Sequence, residues 1–268
     1  MDIIKTIILG LVQGFTEFLP ISSSGHLVLA EKLLDFHQQG IAFEVFVHLG
    51  TLFSVLLAFR ADLIKMVVAP YRVWLKGEQN EDLIRHSRWT LYIIIGTIPA
   101  ALIGLIFKDK IESVFSNILL VIIMLFITGT FMILSRFLKQ SDGDVSYIKS
   151  ILIGCAQAMA ILPGISRSGS TIVTGMALGV DRSEAARFSF ILSIPAILGA
   201  AVLKIKDLLE SNVLPVEWFN LLLGAAVSFV SGYVAILWLL DIVRKGKLEW
   251  FGYYCYLVVL LAFIWLYN

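Results

Sequence analysis

Apolar stretches of about 20 residues recur along the chain, separated by short polar connections. A helix that crosses the hydrocarbon core of a bilayer needs about 20 mostly apolar residues. The segments 41–59, 88–107, 117–135, 186–203, 218–240 and 251–267 meet that need and predict six full spans. Two further stretches, roughly 3–30 and 148–180, are apolar but broken by polar clusters and by Pro20 and Pro163. Irregular backbone at membrane depth survives only where protein or a watery cavity covers it. Both stretches therefore predict re-entrant helical hairpins, and the expected fold class is an all-α polytopic membrane protein.

The two halves of the chain repeat each other. Gly10-Leu11-Val12-Gln13 aligns with Gly154-Cys155-Ala156-Gln157 at an offset of 144, and Leu19-Pro20 aligns with Leu162-Pro163 at 143. Ile21-Ser22-Ser23-Ser24-Gly25 then meets Ile165-Ser166-Arg167-Ser168-Gly169, again at 144. The expected organisation is one membrane domain over 1–268, with repeat 1 at about 1–140 and repeat 2 at about 148–268, each a hairpin followed by three spans. Three crossings per half is an odd number, so the second copy must be inverted relative to the first. The 60–89 connection carries six Lys/Arg, 136–149 and 241–250 carry three each, and 108–116 and 204–217 carry two each. Placing the richer connections inside puts the N-terminus outside, and the two hairpins then enter from opposite faces and meet near mid-membrane.

Composition changes this picture little. Of 268 residues, 59% are hydrophobic and 15% charged, a balance suited to a lipid solvent. The net charge of +1 says nothing about partners, and the lack of a basic stripe or nucleic-acid motif argues against a nucleic-acid partner. Cys155 and Cys255 lie in apolar runs far from any His or Asp pattern and read as small core residues. Gln13, Glu17 and Pro20 interrupt the first apolar stretch, so a cleavable signal is not expected there.

The candidate chemistry sits in the two broken stretches. Gln13 and Glu17 are four apart and share one helix face. Pro20 ends that helix, and Ser22, Ser23 and Ser24 follow in a turn bounded by Gly25, just before His26. Hydroxyls and backbone N–H groups at the start of a helix make an anion cradle. The second stretch has the same breaker and turn, Pro163-Gly164-Ile165-Ser166-Arg167-Ser168-Gly169-Ser170-Thr171, with an arginine at its tip. An arginine inside a membrane segment is costly, and its planar fork matches phosphate. Opposed hairpins would bring Arg167 to the Ser22–His26 turn and assemble a phosphate site with a nucleophile in it.

Each residue also has a plainer role open to it. Arg167 would serve as glue on backbone carbonyls, Glu17 as its buried partner, and a serine at a helix start as a cap. Two nucleophiles compete, Ser23 and His26, with His26 alternatively acting as acid or base to a serine or to water. Gln157 is expected to be a supporting hydrogen-bonder, and Pro99 and Pro195 to mark kinks. His37 and His86 fall in polar connections and read as bland. His48 lies in a span with no carboxylate nearby in sequence except Glu44 and reads as structural or incidental.

With these residues in view, the chain resembles the bacitracin-resistance family of undecaprenyl-diphosphatases. Gln13 and Glu17 fall on its first signature, Glu or Gln, three residues, then Glu. Pro163, Gly164, Ser166, Arg167, Ser168 and Thr171 fall on the second, Pro-Gly-x-Ser-Arg-Ser-x-x-Thr, and His26 falls on the family histidine. The resemblance implies hydrolysis of undecaprenyl pyrophosphate to undecaprenyl phosphate and inorganic phosphate in the bacterial cytoplasmic membrane, at a site reached from the outer side. It recycles the lipid carrier for cell-wall synthesis and confers bacitracin resistance. The resemblance places Glu17, His26 and Arg167 among the catalytic residues and Gln13, Gly164, Ser166, Ser168 and Thr171 among the substrate-binding ones, while Ser23 as catalytic and Ser22, Ser24 and Gly25 as substrate-binding are read from the serine turn itself. It also implies a divalent cation, Mg²⁺ or Ca²⁺, with Glu17 and Gln13 as its ligands. Many relatives carry Glu where this chain has Gln13, which adds no charge and takes no proton. The expected partners are the polyprenyl pyrophosphate and the bilayer, with a homodimer left open. The alternative is an inverted-repeat transporter or flippase for a phosphate-bearing lipid or anion.

Overall fold

The computed structural model describes residues 3–34, 40–115, 117–210 and 218–267. Among them it forms twelve α-helices: α1 (Ile3–Phe18), α2 (Ser23–Leu33), α3 (Gly40–Ala58), α4 (Arg60–Pro70), α5 (Glu81–Ile106), α6 (Lys108–Phe115), α7 (Ile118–Leu134), α8 (Tyr147–Met159), α9 (Arg167–Ala177), α10 (Arg182–Glu210), α11 (Trp218–Arg244) and α12 (Glu249–Tyr267). The only β pairing among the described residues is an isolated bridge between Gly143 and Val180.

Five of these helices, α5, α7, α10, α11 and α12, are long and apolar enough to cross a membrane, and α3 with α4, bent by 74° at their junction, makes a sixth candidate. The outward surface carries Phe53, Ile94, Leu102, Phe126, Trp238 and Leu257. Such a surface suits hydrocarbon and not water. Short polar side chains serve the inside instead. Ser54 donates to the Phe229 carbonyl at 2.7 Å and Ser228 to the Val47 carbonyl at 2.8 Å, so α3 and α11 are bonded in both directions. Ser150 donates in the same way from α8 to the Tyr92 carbonyl of α5 at 2.5 Å. In lipid, small residues and interhelical hydrogen bonds of this kind replace the hydrophobic effect as glue.

Polar residues start the helices where the backbone needs a partner. Asn80 caps α5 by accepting from Leu83 N, and Asn117 caps α7 by accepting from Leu120 N. α5 thus begins at Glu81, well before the expected span at 88, and α4 fills much of the expected 60–89 connection with helix. His86 is accordingly not a loop residue: it is buried on α5, with Nδ1 2.6 Å from the Asp82 carbonyl. Beside it, Arg187 of α10 bonds both oxygens of Asp62 on α4, at 2.8 and 2.9 Å, and Arg85 pairs with Glu184. This polar network fixes the bent arm against α5 and α10. α5 and α10 continue as helix through Pro99 and Pro195. His37 and parts of the 108–116 and 204–217 connections lie outside the described residues.

The broken stretches form two helical hairpins. In the first, the Lys5 ammonium at the start of α1 donates to the Leu34 carbonyl at the end of α2, 2.7 Å away. In the second, Asp181 N donates to the Gly143 carbonyl at 2.8 Å and Ser141 to the Gly179 carbonyl at 2.9 Å. The end of α9 therefore lies back beside the segment that leads into α8. Each hairpin packs on a long helix of the other half of the chain, α1 on α11 and α8 on α5. The contact is backbone-close in both cases. A Cβ on Gly10 would sit 3.0 Å from the Gly224 carbonyl oxygen, and one on Gly154 would sit 2.2 Å from that of Gly96. Cys255 is buried as expected, but Cys155, the neighbour of Gly154, is exposed. In a lipid-facing protein the outer surface is as apolar as the core, so apolar surroundings in sequence do not separate the two.

Candidate active site

Gln13 and Glu17 lie on the buried face of α1, and Gln13 Nε2 donates to Glu17 Oε2 at 3.0 Å. This bond fixes the amide, because only its nitrogen can face a carboxylate. α1 stops at Phe18, ahead of Pro20. The chain then turns through Ser22, whose φ of 71° is the only positive value at a non-glycine position among the described residues. A side chain held there is strained, and such strain gathers at functional sites. Ser22 caps α2 by accepting from Gly25 N at 3.3 Å, and its hydroxyl lies 3.2 Å from that of Ser24.

The second tip is built the same way from other residues. Pro163 precedes Gly164, whose φ of 95° places it where glycine is favoured. A Cβ there would also meet the Val121 carbonyl at 2.5 Å. Ser166 caps α9 by accepting from Gly169 N at 3.1 Å, and its hydroxyl lies 3.2 Å from that of Ser168. Thr128 of α7 clamps this turn: its hydroxyl donates to the Gly164 carbonyl at 2.8 Å and accepts from Ser166 N at 3.0 Å. A threonine in the apolar run of α7 carries no motif, and its burial inside a span is the only signal that singles it out.

The two tips meet. Gly164 N donates to Ser24 Oγ at 3.4 Å, and Ser168 Oγ donates to the Leu19 carbonyl at 3.3 Å. At the centre, Arg167 Nη2 donates to Glu17 Oε1 at 2.6 Å, and Ser23 Oγ donates to Glu17 Oε2, also at 2.6 Å. Glu17 thus holds a guanidinium on one oxygen and a serine hydroxyl on the other. Two buried polar atoms nearby have no partner, Arg167 Nη1 and Gln13 Oε1. An unpaired buried donor or acceptor is costly, so such atoms mark places where a ligand belongs. The N-termini of α2 and α9 both start in the tips, and their partial positive charge adds to the attraction for an anion.

Other residues stand at different distances from this centre. His26 is held by the Ser22 carbonyl at Nδ1 and by the Tyr254 hydroxyl at Nε2. Thr171 is fully buried, with its hydroxyl bonded to the Arg167 carbonyl at 2.8 Å and 2.5 Å from Ser189 Oγ, so it braces α9 against α10. Gln157 is buried with neither amide atom partnered, so the supporting hydrogen bond expected of it is absent among the described residues. His48 stands nearer the centre than its place in the sequence suggests. Its Nε2 lies 4.0 Å from Glu17 Oε2, while Nδ1 is 2.7 Å from the Glu44 carbonyl. The helix α3 passes beside the tip of α1 and carries the ring there, which neighbours in sequence do not disclose. Among the described residues no three His, Cys, Asp or Glu side chains gather into a metal cage.

Fold and site together define a polytopic helical membrane protein with an Arg–Glu–Ser centre where two hairpin tips touch. The chain belongs to the family described as bacitracin resistance protein BacA, whose model matches residues 6–261. Among similar proteins, the undecaprenyl-diphosphatase of Methanobrevibacter smithii is 43% identical over 279 residues, covering 98% of each chain. That of Halothermothrix orenii is 42% identical over 271 residues, also covering 98% of each. That of Christiangramia forsetii is 40% identical over 273 residues, covering 100% of this chain and 99% of its own.

Proposed function

We propose that this protein hydrolyses undecaprenyl pyrophosphate to undecaprenyl phosphate and inorganic phosphate, the activity named for its relatives. The observation that carries the reading is the Ser23–Glu17–Arg167 centre with Arg167 Nη1 left free. In the proposed reaction Arg167 Nη1 and the backbone N–H groups of the two tips bind the terminal phosphate. Ser23 Oγ attacks its phosphorus and gives its proton to Glu17, already in hydrogen-bond contact. The Oγ–P bond forms as the bridging P–O bond breaks, and the lipid phosphate leaves with the bridging oxygen. Water, giving a proton to His26 Nε2 in place of the Tyr254 hydroxyl, then attacks the phosphoserine, the Oγ–P bond breaks, Glu17 returns its proton to Oγ, and inorganic phosphate departs. Positioning and charge stabilisation supply most of the catalysis in phosphoryl transfer. What favours Ser23 over His26 as nucleophile is that Ser23 Oγ already touches Glu17, whereas both ring nitrogens of His26 hold other partners, Ser22 and Tyr254.

Gln13 Oε1, a buried oxygen with no donor, and the neighbouring Glu17 carboxylate suit a hard cation that arrives with the pyrophosphate. Gln13 and Glu17 would hold Mg²⁺ or Ca²⁺, which when bound neutralises phosphate charge. Both hairpins are read as re-entrant, because each returns to the side it began on. The matched serine caps of the two tips and the matched glycine contacts of α1 and α8 support an inverted repeat. With the Lys/Arg-rich connections inside, this protein lies in the cytoplasmic membrane with its site open to the outer side. One chain supplies both tips, so the site needs no second copy. Inverted halves meeting at broken helices also suit a transporter or flippase, and turnover without a membrane separates the two.

The test is phosphate release from undecaprenyl pyrophosphate by the purified protein in detergent, with and without chelator. Turnover that chelator suppresses and Arg167→Ala abolishes supports the reading. A folded protein that binds the lipid but releases no phosphate overturns it in favour of transport.

A further inference from the structure

His26 stands apart from the Ser23–Glu17–Arg167 centre, and what holds it is visible. Its Nδ1 lies 2.9 Å from the Ser22 carbonyl oxygen. A carbonyl has no proton to give, so Nδ1 carries the hydrogen and the neutral ring keeps its lone pair at Nε2. Nε2 lies 3.0 Å from the hydroxyl of Tyr254, which must then be the donor. Two bonds at opposite ends of the ring fix its tautomer and its orientation together. The second partner comes from α12, 228 residues away in sequence.

The placement of Tyr254 follows from how α2 and α12 lie. Both pack on α7 and run in the same direction, with His26 against Tyr254 at one end and the Lys32 ammonium 5.9 Å over the Trp265 ring at the other. Val28 and Leu29 of α2 and Val258, Val259 and Ala262 of α12 join Val121, Ile122 and Leu125 of α7 in one apolar cluster. Tyr254, Val258 and Ala262 are four apart and share one face of α12. The plain alternative is an aromatic residue on a lipid-facing helix, and Tyr254 is 41% exposed. Apolar surroundings alone would be served equally by phenylalanine. The hydroxyl instead lies against the nitrogen that must accept, with the two rings only 9° from parallel.

We infer that Tyr254 is the positioning residue for His26, its hydroxyl holding the ring with Nε2 as acceptor and standing in for the oxygen that Nε2 meets during turnover. The inference rests on reading the site as a phosphatase only for its kinetic consequence. When a water or a phosphate oxygen replaces the tyrosine hydroxyl, the ring is already in the form that takes a proton. Partners that orient a catalytic histidine in this way select its tautomer without touching the substrate.

The experiment uses the full chain in detergent with ¹⁵N-labelled histidine, His26→Ala identifying the His26 signals. In the wild type these signals are expected to report the Nδ1–H tautomer, and in Tyr254→Phe, with an unchanged melting temperature, a mixture of tautomers. Turnover in Tyr254→Phe is expected to fall about tenfold, as for a lost orienting hydrogen bond. KM should move by less than roughly twofold, since substrate contacts are intact. In a His26→Ala background Tyr254→Phe should add no further loss. An unchanged tautomer in Tyr254→Phe, or an equal loss in the His26→Ala background, overturns the inference. A wild type without turnover would remove the phosphatase reading, and the tautomer comparison would still decide the role of Tyr254.

Discussion

Arg167 divides its fork between two tasks. Nη2 is committed to Glu17, and Nη1 is buried and unpartnered. Lysine offers one ammonium in place of that planar fork. Arg167→Lys is therefore expected to lose about a hundredfold in turnover or more, the cost of a missing charge-stabilising donor, measured as phosphate release. Glu17→Gln removes the acceptor of the Ser23 proton, and the loss expected in the same assay is about 10²–10⁴-fold. Gln13→Glu sets two buried carboxylates side by side on α1. Its melting temperature should fall in chelator and recover with Mg²⁺, which thermal melts under both conditions will read. The residues of the two tips are legible in the sequence because proline, glycine and charge interrupt an apolar run there. His48 and Tyr254 are not, because each rides on an ordinary-looking span and meets its partner only through tertiary packing. The strain at Ser22 is equally invisible, since its counterpart Ser166, with φ of −74°, has the same residue type and an ordinary backbone.

At the scale of helices, the hairpins meet the rest of the molecule through glycine. A methyl on Gly154 would sit 2.2 Å from the Gly96 carbonyl, and backbone cannot step aside as a side chain does. Gly154→Ala is expected to push α8 from α5 and lower stability by about 1–3 kcal/mol, the usual range for overpacking. Gly199→Ala, with nothing within 4 Å of the added methyl, is the matched control. Melting temperatures of the two variants in detergent provide the comparison. Element type was readable wherever a helix is apolar and long: α7, α11 and α12 lie close to the expected spans at 117–135, 218–240 and 251–267. It was not readable in α4 and the first turns of α5, where a polar helix and a polar loop share the same composition. Lipid also removes the inside–outside contrast that sequence patterns rely on, which is why Cys155 faces out while Cys255 is buried.

Across the whole molecule, the orientation proposed from charge is open to direct measurement. Gln79 sits exposed in the Lys/Arg-rich connection, outside any helix. A cysteine placed there, with Cys155 and Cys255 replaced, is expected to react with a membrane-impermeant maleimide in inside-out vesicles and not in intact cells. The reverse pattern would turn the topology over. Neither half of the chain encloses its own hairpin: α1 is covered by α11, and α8 by α5. This exchange has a consequence for how the molecule is made. Synthesis delivers the N-terminal end first, so α1 reaches the bilayer with Gln13 and Glu17 long before α11 exists to cover them. A lone carboxylate is costly in hydrocarbon. The first hairpin is therefore expected to settle into place only once α11 is there to cover it. Arg167 arrives after α1 but before α11, and α12 brings Tyr254 to His26 after both. A product that ends before Arg167 lacks the reaction centre, so a molecule at that stage cannot hydrolyse lipid while it is still being built.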